Sequence, residues 1–330
     1  MTGNQPGNHG LFVGVTTLDC IYQADHPPSA NEKVAATKSL IVAGGPATNA
    51  AVAFAQLNSR NRATLASVIG SHPLTGLITE DLLGQRVILA DLDPQRLAPP
   101  PLSSIVVSAA TGERAVVSRS AEDAKIVASG FSASSLDNVD IVLIDGHQMA
   151  VGAEVAQWAK TKQIPVVVDA GSWKSGFETV LALADVVVAS ANFLPPGCET
   201  AAEVMEWVRS LHSATNSSIT NSSTTNGSTT NGTKADSPQI AITQGAAPIL
   251  YQTGDTISEL EVPQIRAVDT LGAGDIFHGA VCHFYLAHTF EETLLKASRT
   301  ASMACQYWGT RDWAKIYRIA EDTDDEETTN

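Results

Sequence analysis

The stretch 262-VPQIRAVDTLGAGDIFHGAVCHFYLAH-288 joins a short strand-like run to a longer helix-like one through a polar, glycine-bearing turn, DTLGAGD. Such a unit puts small residues at a helix N-terminus, where unpaired N–H groups and the helix dipole favour an anion. Gly272, Ala273 and Gly274 suit that place, because small residues let the backbone approach a ligand closely. Two phosphate-binding alternatives are set aside by spacing: the chain has no GxxxxGK[ST], and this turn is not GxGxxG. No lysine follows the glycines; a carboxylate, Asp275, does. An isolated acid in a first turn stabilises its own helix, so the role of Asp275 has to be read from the rest of the chain.

Upstream, β-like and helix-like runs alternate. LFVGVT (11–16) reads as a first strand, PATNAAVAFAQL (46–57) as a buried alanine-rich helix, and ATLASVIG (63–70) as a strand. PLTGLITEDLLG (73–84) reads as a helix ending at a glycine. SSIVVSAATGERAVVS (103–118) offers two β-branched runs around a TGE turn, a hairpin pattern. From residue 141 the strand-like runs IVLIDG, PVVVDAG, DVVVAS and QIAITQG alternate with the helical VGAEVAQWAKTKQ, ETVLALA and AAEVMEWVRSLH. Continuous Val/Ile runs between helices predict an α/β chain: a three-layer α/β/α sandwich around a mostly parallel central sheet. The hairpin and the polar stretch near 20–40 do not fit that sheet. They are expected to form a small β-structured lid from segments near 20–42 and 101–120.

The 330 residues are 44% hydrophobic with a net charge of −15, ample for a core and the wrong sign for a general nucleic-acid or anionic-membrane binder. Residues 321–330 hold six acidic groups; they and residues 1–10 are read as disordered tails. Residues 215–234 divide into four pentapeptides, TNSSI, TNSST, TNGST and TNGTK, too polar to repay ordering, so an insertion loop over 213–237 is expected. Each unit contains an N-x-S/T sequon, but glycosylation requires secretion, and the first ten residues lack the basic and apolar regions of a signal peptide. Cys20, Cys198, Cys282 and Cys305 lie far apart without ligand spacing, which fits a reducing cytoplasm rather than a disulfide framework or structural zinc. No run reaches the roughly 18 apolar residues of a membrane span.

AVDTLGAGDIFHGA (267–280) matches the pattern DTxGAGDxFxGA at every defined position. AGGPATNAAVAFAQL (43–57) joins a double glycine to an Asn and a small-residue helix, VGVTTLD (13–19) ends a strand in an aspartate, and ITQG (242–245) closes a later one. In this order and spacing the chain resembles the PfkB, or ribokinase-like, carbohydrate kinases, with a flavour nearest the fructose- and sulfofructose-type members. The resemblance implies one kinase domain over 11–312, with ATP and a small sugar as partners, Mg²⁺ as cofactor, K⁺ as a further candidate, and a homodimer through the lid. It implies that Asp275 is the general base for a sugar hydroxyl, with the Gly272, Ala273 and Gly274 backbone as anion hole for the moving phosphoryl. That division is coherent, because phosphoryl transfer chiefly needs positioning and charge stabilisation.

By the same resemblance Asp19, Gly44, Gly45 and Asn49 meet the sugar, Thr243 and Gly245 the nucleotide, and Asn192 the magnesium and phosphate. Asp269 resembles a monovalent-cation ligand. Local alternatives stay open: a strand-end turn for Asp19, a cap for Asn49, a turn-initiating role for Asp269. The chain departs from the pattern twice. Pro195 stands where Asn-x-x-Glu has its acid, and Pro248 replaces the second glycine of TxGxxG, removing an N–H donor. Lys174 lies just past a strand end, where α/β ligands gather, and is a candidate phosphate contact; Arg119, ending the hairpin, is a candidate over the acceptor. For both, a solvated side chain is the alternative. His278, one turn after Asp275, is expected to pack rather than act as a second base. A nucleoside kinase, whose base would want aromatic stacking where the lid offers Tyr22, a phosphosugar kinase and a sugar-binding regulatory protein remain alternatives.

Overall fold

The computed structural model describes residues 7–119, 124–126, 131–220 and 237–317, with backbone alone for 214–220. The chain opens with β1 (His9–Val13), β2 (Thr17–Ala24), β3 (Lys38–Gly44), α1 (Pro46–Leu57), β4 (Arg62–Ser67), α2 (Thr75–Gly84) and β5 (Val87–Asp91). A hairpin, β6 (Leu102–Ser108) and β7 (Arg114–Ser118), leads into β8 (Ile141–Ile144), α3 (Met149–Lys162), β9 (Val166–Ala170), α4 (Phe177–Leu181) and β10 (Val186–Ser190). Next come α5 (Ala201–Thr220), β11 (Gln239–Gln244), β12 (Ala247–Thr253), β13 (Thr256–Leu260), α6 (Ala273–Tyr285) and α7 (Phe290–Ala304).

Among the described residues nine strands pair in the order β13-β12-β11-β10-β9-β8-β1-β4-β5. Pairing is parallel from β5 to β11, and β12 and β13 extend the sheet antiparallel. Successive side chains alternate across the sheet, as a period of two requires. Thus Leu143 and Val167 enter a core with Phe54 of α1, Phe277 of α6 and Leu294 of α7. Val142, Val166 and Val168 face the opposite core, with Val155 of α3, Phe177 of α4 and Val208 of α5. The Val/Ile runs are therefore buried on both faces, which gives the predicted three layers.

α6 crosses α1 at close range because Gly279 has no side chain: a Cβ there would overlap the Ala50 carbonyl oxygen and lie 2.8 Å from Ala53 Cβ. Gly279→Val is expected to cost about 1–3 kcal/mol through overpacking, measured as a fall in Tm.

The remaining strands form a separate sheet, β3-β2-β6-β7. Its inner face buries Ile21, Val42, Ile105 and Val107 against Leu271 and Trp308. Leu271 belongs to DTLGAGD, so the lid packs directly on the turn that opens α6. The hairpin tip adds polar ties: Gly112 O accepts from Thr270 N at 3.1 Å and from Thr270 Oγ1 at 3.0 Å.

Several sequence expectations need correction. The first strand stops at Val13, and Thr17 already belongs to the lid. His9 and Gly10 are not part of a tail but open β1, paired to Arg62 and Ala63. Helix α2 begins at Thr75, two residues later than read, and ends at Gly84 as expected; the chain reverses at Arg86 (φ 64), whose guanidinium donates to the carbonyls of Ala55 and Ser59. Residues 262–268 form no strand: Pro263 lacks a donor, and Val268 N donates to Cys305 O at 2.8 Å. α5 runs past His212 to Thr220, so the expected loop starts no earlier than residue 221; 221–236 and the acidic segment 321–330 lie outside the described residues. Strands β5, β12 and β13 had no counterpart in the sequence reading.

Candidate active site

From β1 the chain runs to β4 and β5 on one side and to β8 and later strands on the other, so the strand order reverses at β1, and open α/β sheets bind ligands at the C-terminal ends of strands at such a point. Asp145 follows β8 at that point and is buried. Its Oδ2 accepts from Val15 N at 2.9 Å and Ala47 N at 3.1 Å, and its Oδ1 from His147 N at 2.9 Å. Desolvation pushes its carboxyl up, but the His147 charge and these bonds outweigh it and hold the group below its ordinary value. Asp145 thus fastens the start of α1 to the ends of β1 and β8.

A second group of candidate residues grows from this joint. Asp19 on β2 is buried and accepts from Thr17 Oγ1 at 2.6 Å. Burial raises its carboxyl; bonds from Thr17 and Ser103 oppose the rise, and the charge of Asp275 adds to it. Gly44 on the adjacent strand has to be glycine, because a Cβ would overlap the Asp19 carboxylate. Gly45 starts α1 at φ 99, a backbone only glycine adopts freely, with Val15 O in the way of any Cβ. Asn49, one turn into α1 and 5% exposed, donates from Nδ2 to Asp275 Oδ2 at 2.8 Å.

α6 starts at Gly272, whose left-handed φ of 71 turns the chain into the helix. Ala273 N donates back to Thr270 O at 3.3 Å, so the more available donors of the turn are Gly274 and Asp275. Asp275 is half-buried, and desolvation raises its carboxyl, with Asn49 as the main opposing influence. His278 places Nδ1 2.7 Å from Gly274 O and Nε2 3.2 Å from Val188 O. Both its ring nitrogens meet main-chain carbonyls, which ties α6 to β10. Its neighbour Asp169, at 3.5 Å, is raised to about 6 by burial, with the His278 charge lowering it and those of Asp275 and Asp145 adding to the rise.

A cleft of about 600 Å³ runs from the α6 N-terminus along the ends of β10 and β11. Asn192, Thr243, Gly245, Ala273 and Gly274 all line it, so five candidates spread along the sequence share one space. Pro248 lies in the β11–β12 hairpin, where its carbonyl accepts from Gln244 Nε2 at 2.7 Å. Pro195 is buried beside Asn192 and has no acid to offer. Lys174 lies past β9, with Nζ 3.3 Å from Ser172 Oγ and 5.6 Å from the Phe177 ring centre, and is not among the residues lining the cleft. Asp269 accepts from Leu271 N at Oδ1 and from Gly309 N at Oδ2, both at 2.8 Å.

Two arginines not singled out in the sequence reach the site. Arg114 lines the cleft from the lid and donates to Thr270 O at 3.2 Å, whereas Arg119 is exposed at the opposite end of β7. The one local signal for Arg114 was its place directly after the TGE turn. Arg311 donates to Asn49 Oδ1 at 3.0 Å, and nothing local marks it.

The profile of the pfkB family carbohydrate kinases matches residues 10–315. The chain belongs to the pfkB family of carbohydrate kinases. A ribokinase of Lactococcus lactis is 22% identical over 273 residues, covering 81% of this chain and 80% of the relative. Among solved structures, an Agrobacterium tumefaciens protein superposes with a TM-score of 0.77 at 23% identity, covering 98% of this chain and 99% of its own. The Arabidopsis thaliana ribokinase complexed with ribose and ATP gives 0.67 at 18% identity, covering 95% and 99%. This pfkB protein thus has the ribokinase-like fold, with the lid present. Among the described residues no helix is long and apolar enough to cross a membrane.

Proposed function

We propose that this pfkB-family chain is an ATP-dependent kinase for a hydroxyl of a small sugar, with Asp275 as its general base. One observation carries the reading. The N-terminus of α6 lines the cleft, and in the same turn Asp275 accepts from Asn49 and lies near enough to Asp19 for its charge to bear on that carboxyl, so an anion-binding helix end and a carboxylate share a single turn.

ATP would be held in the cleft, where Ile249, Val262 and Ala301 offer an apolar wall for its base and Gly274 a main-chain donor for its phosphates. The sugar lies between Asp19 and Asp275, whose oxygens accept hydrogen bonds from its hydroxyls. As the acceptor oxygen attacks the γ-phosphorus, its proton passes to Asp275 and the bond to ADP breaks. First-turn N–H groups of α6 and the Arg114 guanidinium face the negative charge on the moving phosphoryl.

Among the described residues no group of three or more His, Cys, Asp or Glu could hold a metal, and Pro195 supplies no ligand. A magnesium ion bound through the ATP phosphates keeps several waters and needs only one or two protein ligands, so it does not require such a group. There it would neutralise phosphate charge, with Asn192 as the neighbouring polar group. A potassium ion at Asp269 would have to share oxygens that already accept two N–H groups.

A sugar suits the acceptor pocket better than a nucleoside. Tyr22 alternates with Asp19 across β2 and sits 42% exposed on the outer lid face, away from the pocket. That outer face also exposes Ile41 and Val117, the surface through which a second copy would dock. With ATP and Mg²⁺, a coupled assay for ADP release is expected to show turnover with a ketohexose or pentose. Turnover confined to nucleosides or phosphosugars would reassign the substrate class, and calorimetric sugar binding without ADP release would overturn the kinase reading.

A further inference from the structure

Arg311 follows α7 in a loop and is 8% exposed, yet its guanidinium joins four parts of the chain. Nη1 donates to Asn49 Oδ1 at 3.0 Å and to Thr310 Oγ1 at 2.9 Å. Nη2 donates to Ala43 O at 2.6 Å and to Asp81 Oδ2 at 3.0 Å. The same Asp81 oxygen accepts Ala43 N at 3.1 Å. Asp81 and Arg311 therefore hold both main-chain polar groups of Ala43, the residue before Gly44 at the root of the lid strand β3.

The bond to Asn49 bears on the chemistry. A carboxamide has two faces, a carbonyl that accepts and an NH₂ that donates. An arginine only donates and does not lose its charge. Beside Arg311, Asn49 has to present its carbonyl to the guanidinium, which leaves the NH₂ for Asp275 Oδ2 at 2.8 Å. In the opposite orientation two acceptors would face each other across that gap. Such a repulsion penalises the ionised base, whereas a donated hydrogen bond favours it.

Resting on the kinase reading above, we propose that Arg311 is a positioning residue for the base: it locks the Asn49 amide toward Asp275 and ties that amide to the lid root at Ala43. Neither Arg311 nor Asp81 touches the reacting atoms. The guanidinium acts through Asn49, and closure of the lid over the turn and orientation of the base share one hub.

Other charged groups also bear on Asp275: His278 on its own helix, Arg114 on β7, Asp145 past β8, Asp19 on β2 and Asp169 on β9. Arg311→Lys keeps the positive charge and loses the planar fork, so it isolates the amide lock from a plain field effect. The test is a ¹³C NMR titration of the aspartate carboxyl carbons of the full chain. The Asp275 signal is assigned by its absence in Asp275→Asn.

Losing the Asn49 donor removes a bond that favours the carboxylate, so the midpoint moves up. Arg311→Lys and Asn49→Ala are each expected to raise it by about one pH unit. In an Asn49→Ala background, Arg311→Lys is expected to add nothing, as the two act in series. An unchanged midpoint in Arg311→Lys overturns the proposal, and so does an equal shift in the Asn49→Ala background. If Arg311→Lys fails to fold, as thermal unfolding reveals, Asp81→Asn loosens the same guanidinium and is expected to shift the midpoint the same way by less; no shift there overturns the proposal. The base reading fails separately: wild-type turnover by Asp275→Asn would remove it, while the titration still decides whether Arg311 sets the Asn49 amide.

Discussion

Asp275→Asn is expected to lower kcat by about 10²–10⁴-fold, the usual contribution of a positioned general base. ATP affinity should stay near the wild-type value, because the cleft is formed by other residues, Thr243, Gly245 and Asn192 among them. The substituted amide keeps the shape of the carboxylate and has no site to take the hydroxyl proton at neutral pH. Burial raises the Asp275 carboxyl above its ordinary value. Activity should therefore climb with pH across a range higher than an ordinary aspartate would give, since only the ionised form is a base. Steady-state turnover with the best acceptor, alongside calorimetry of ATP binding, measures both halves. A variant with near-normal kcat would remove Asp275 from the mechanism.

Arg114→Met should reduce kcat on the order of 10²–10³-fold, the scale for losing one preorganised donor to a charge that develops during reaction. The acceptor KM should change little, as Arg114 lies on the cleft side of α6, hydrogen-bonded to Thr270 O at 3.2 Å. The same change at Arg119, at the exposed far end of β7, should leave kcat close to wild type. This pair discriminates between the two lid arginines. A large loss at Arg119 and none at Arg114 would reverse the assignment, and equal small effects would show that the lid supplies no charge to the phosphoryl.

Arg114 and Arg311 show where local reading stops. DTLGAGD was legible because a tight left-handed turn at Gly272, a dipole-bearing helix start and an acid one turn in are all encoded within seven residues. The double glycine was singled out by resemblance alone, and the fold supplies a different reason for it: Gly45 has a positive φ, and Gly44 must leave room for the Asp19 carboxylate on the next strand. Arg311 meets Asn49 across 262 residues of chain, and no spacing or periodicity encodes that encounter. Asp269 is instructive in the other direction. Its turn-initiating reading describes what its oxygens do, each accepting a backbone N–H across DTLGAGD or from Gly309.

The unread strands have a physical explanation as well. β12 and β13 pair antiparallel at the edge of the sheet, and polar residues interrupt their apolar pattern because one side faces solvent. The central strands, buried on both faces, announce themselves as unbroken Val/Ile runs. Likewise α5 carries its backbone into a polar repeat that composition assigned to a loop, because a helix once started extends residue by residue at little further cost.

The amino-acid sequence by itself determined the layers, the lid segments and the turn that opens α6, since each depends on periodicity or on a conformation that only glycine accepts. The tertiary structure alone decided which groups surround Asp275. It brought Asp19 from the lid, Asn49 from α1, Arg114 from the hairpin and Arg311 from the last loop to one helix end. Hydrogen bonds and charges act over a few ångströms whatever the separation along the chain, so only the folded arrangement could assign them.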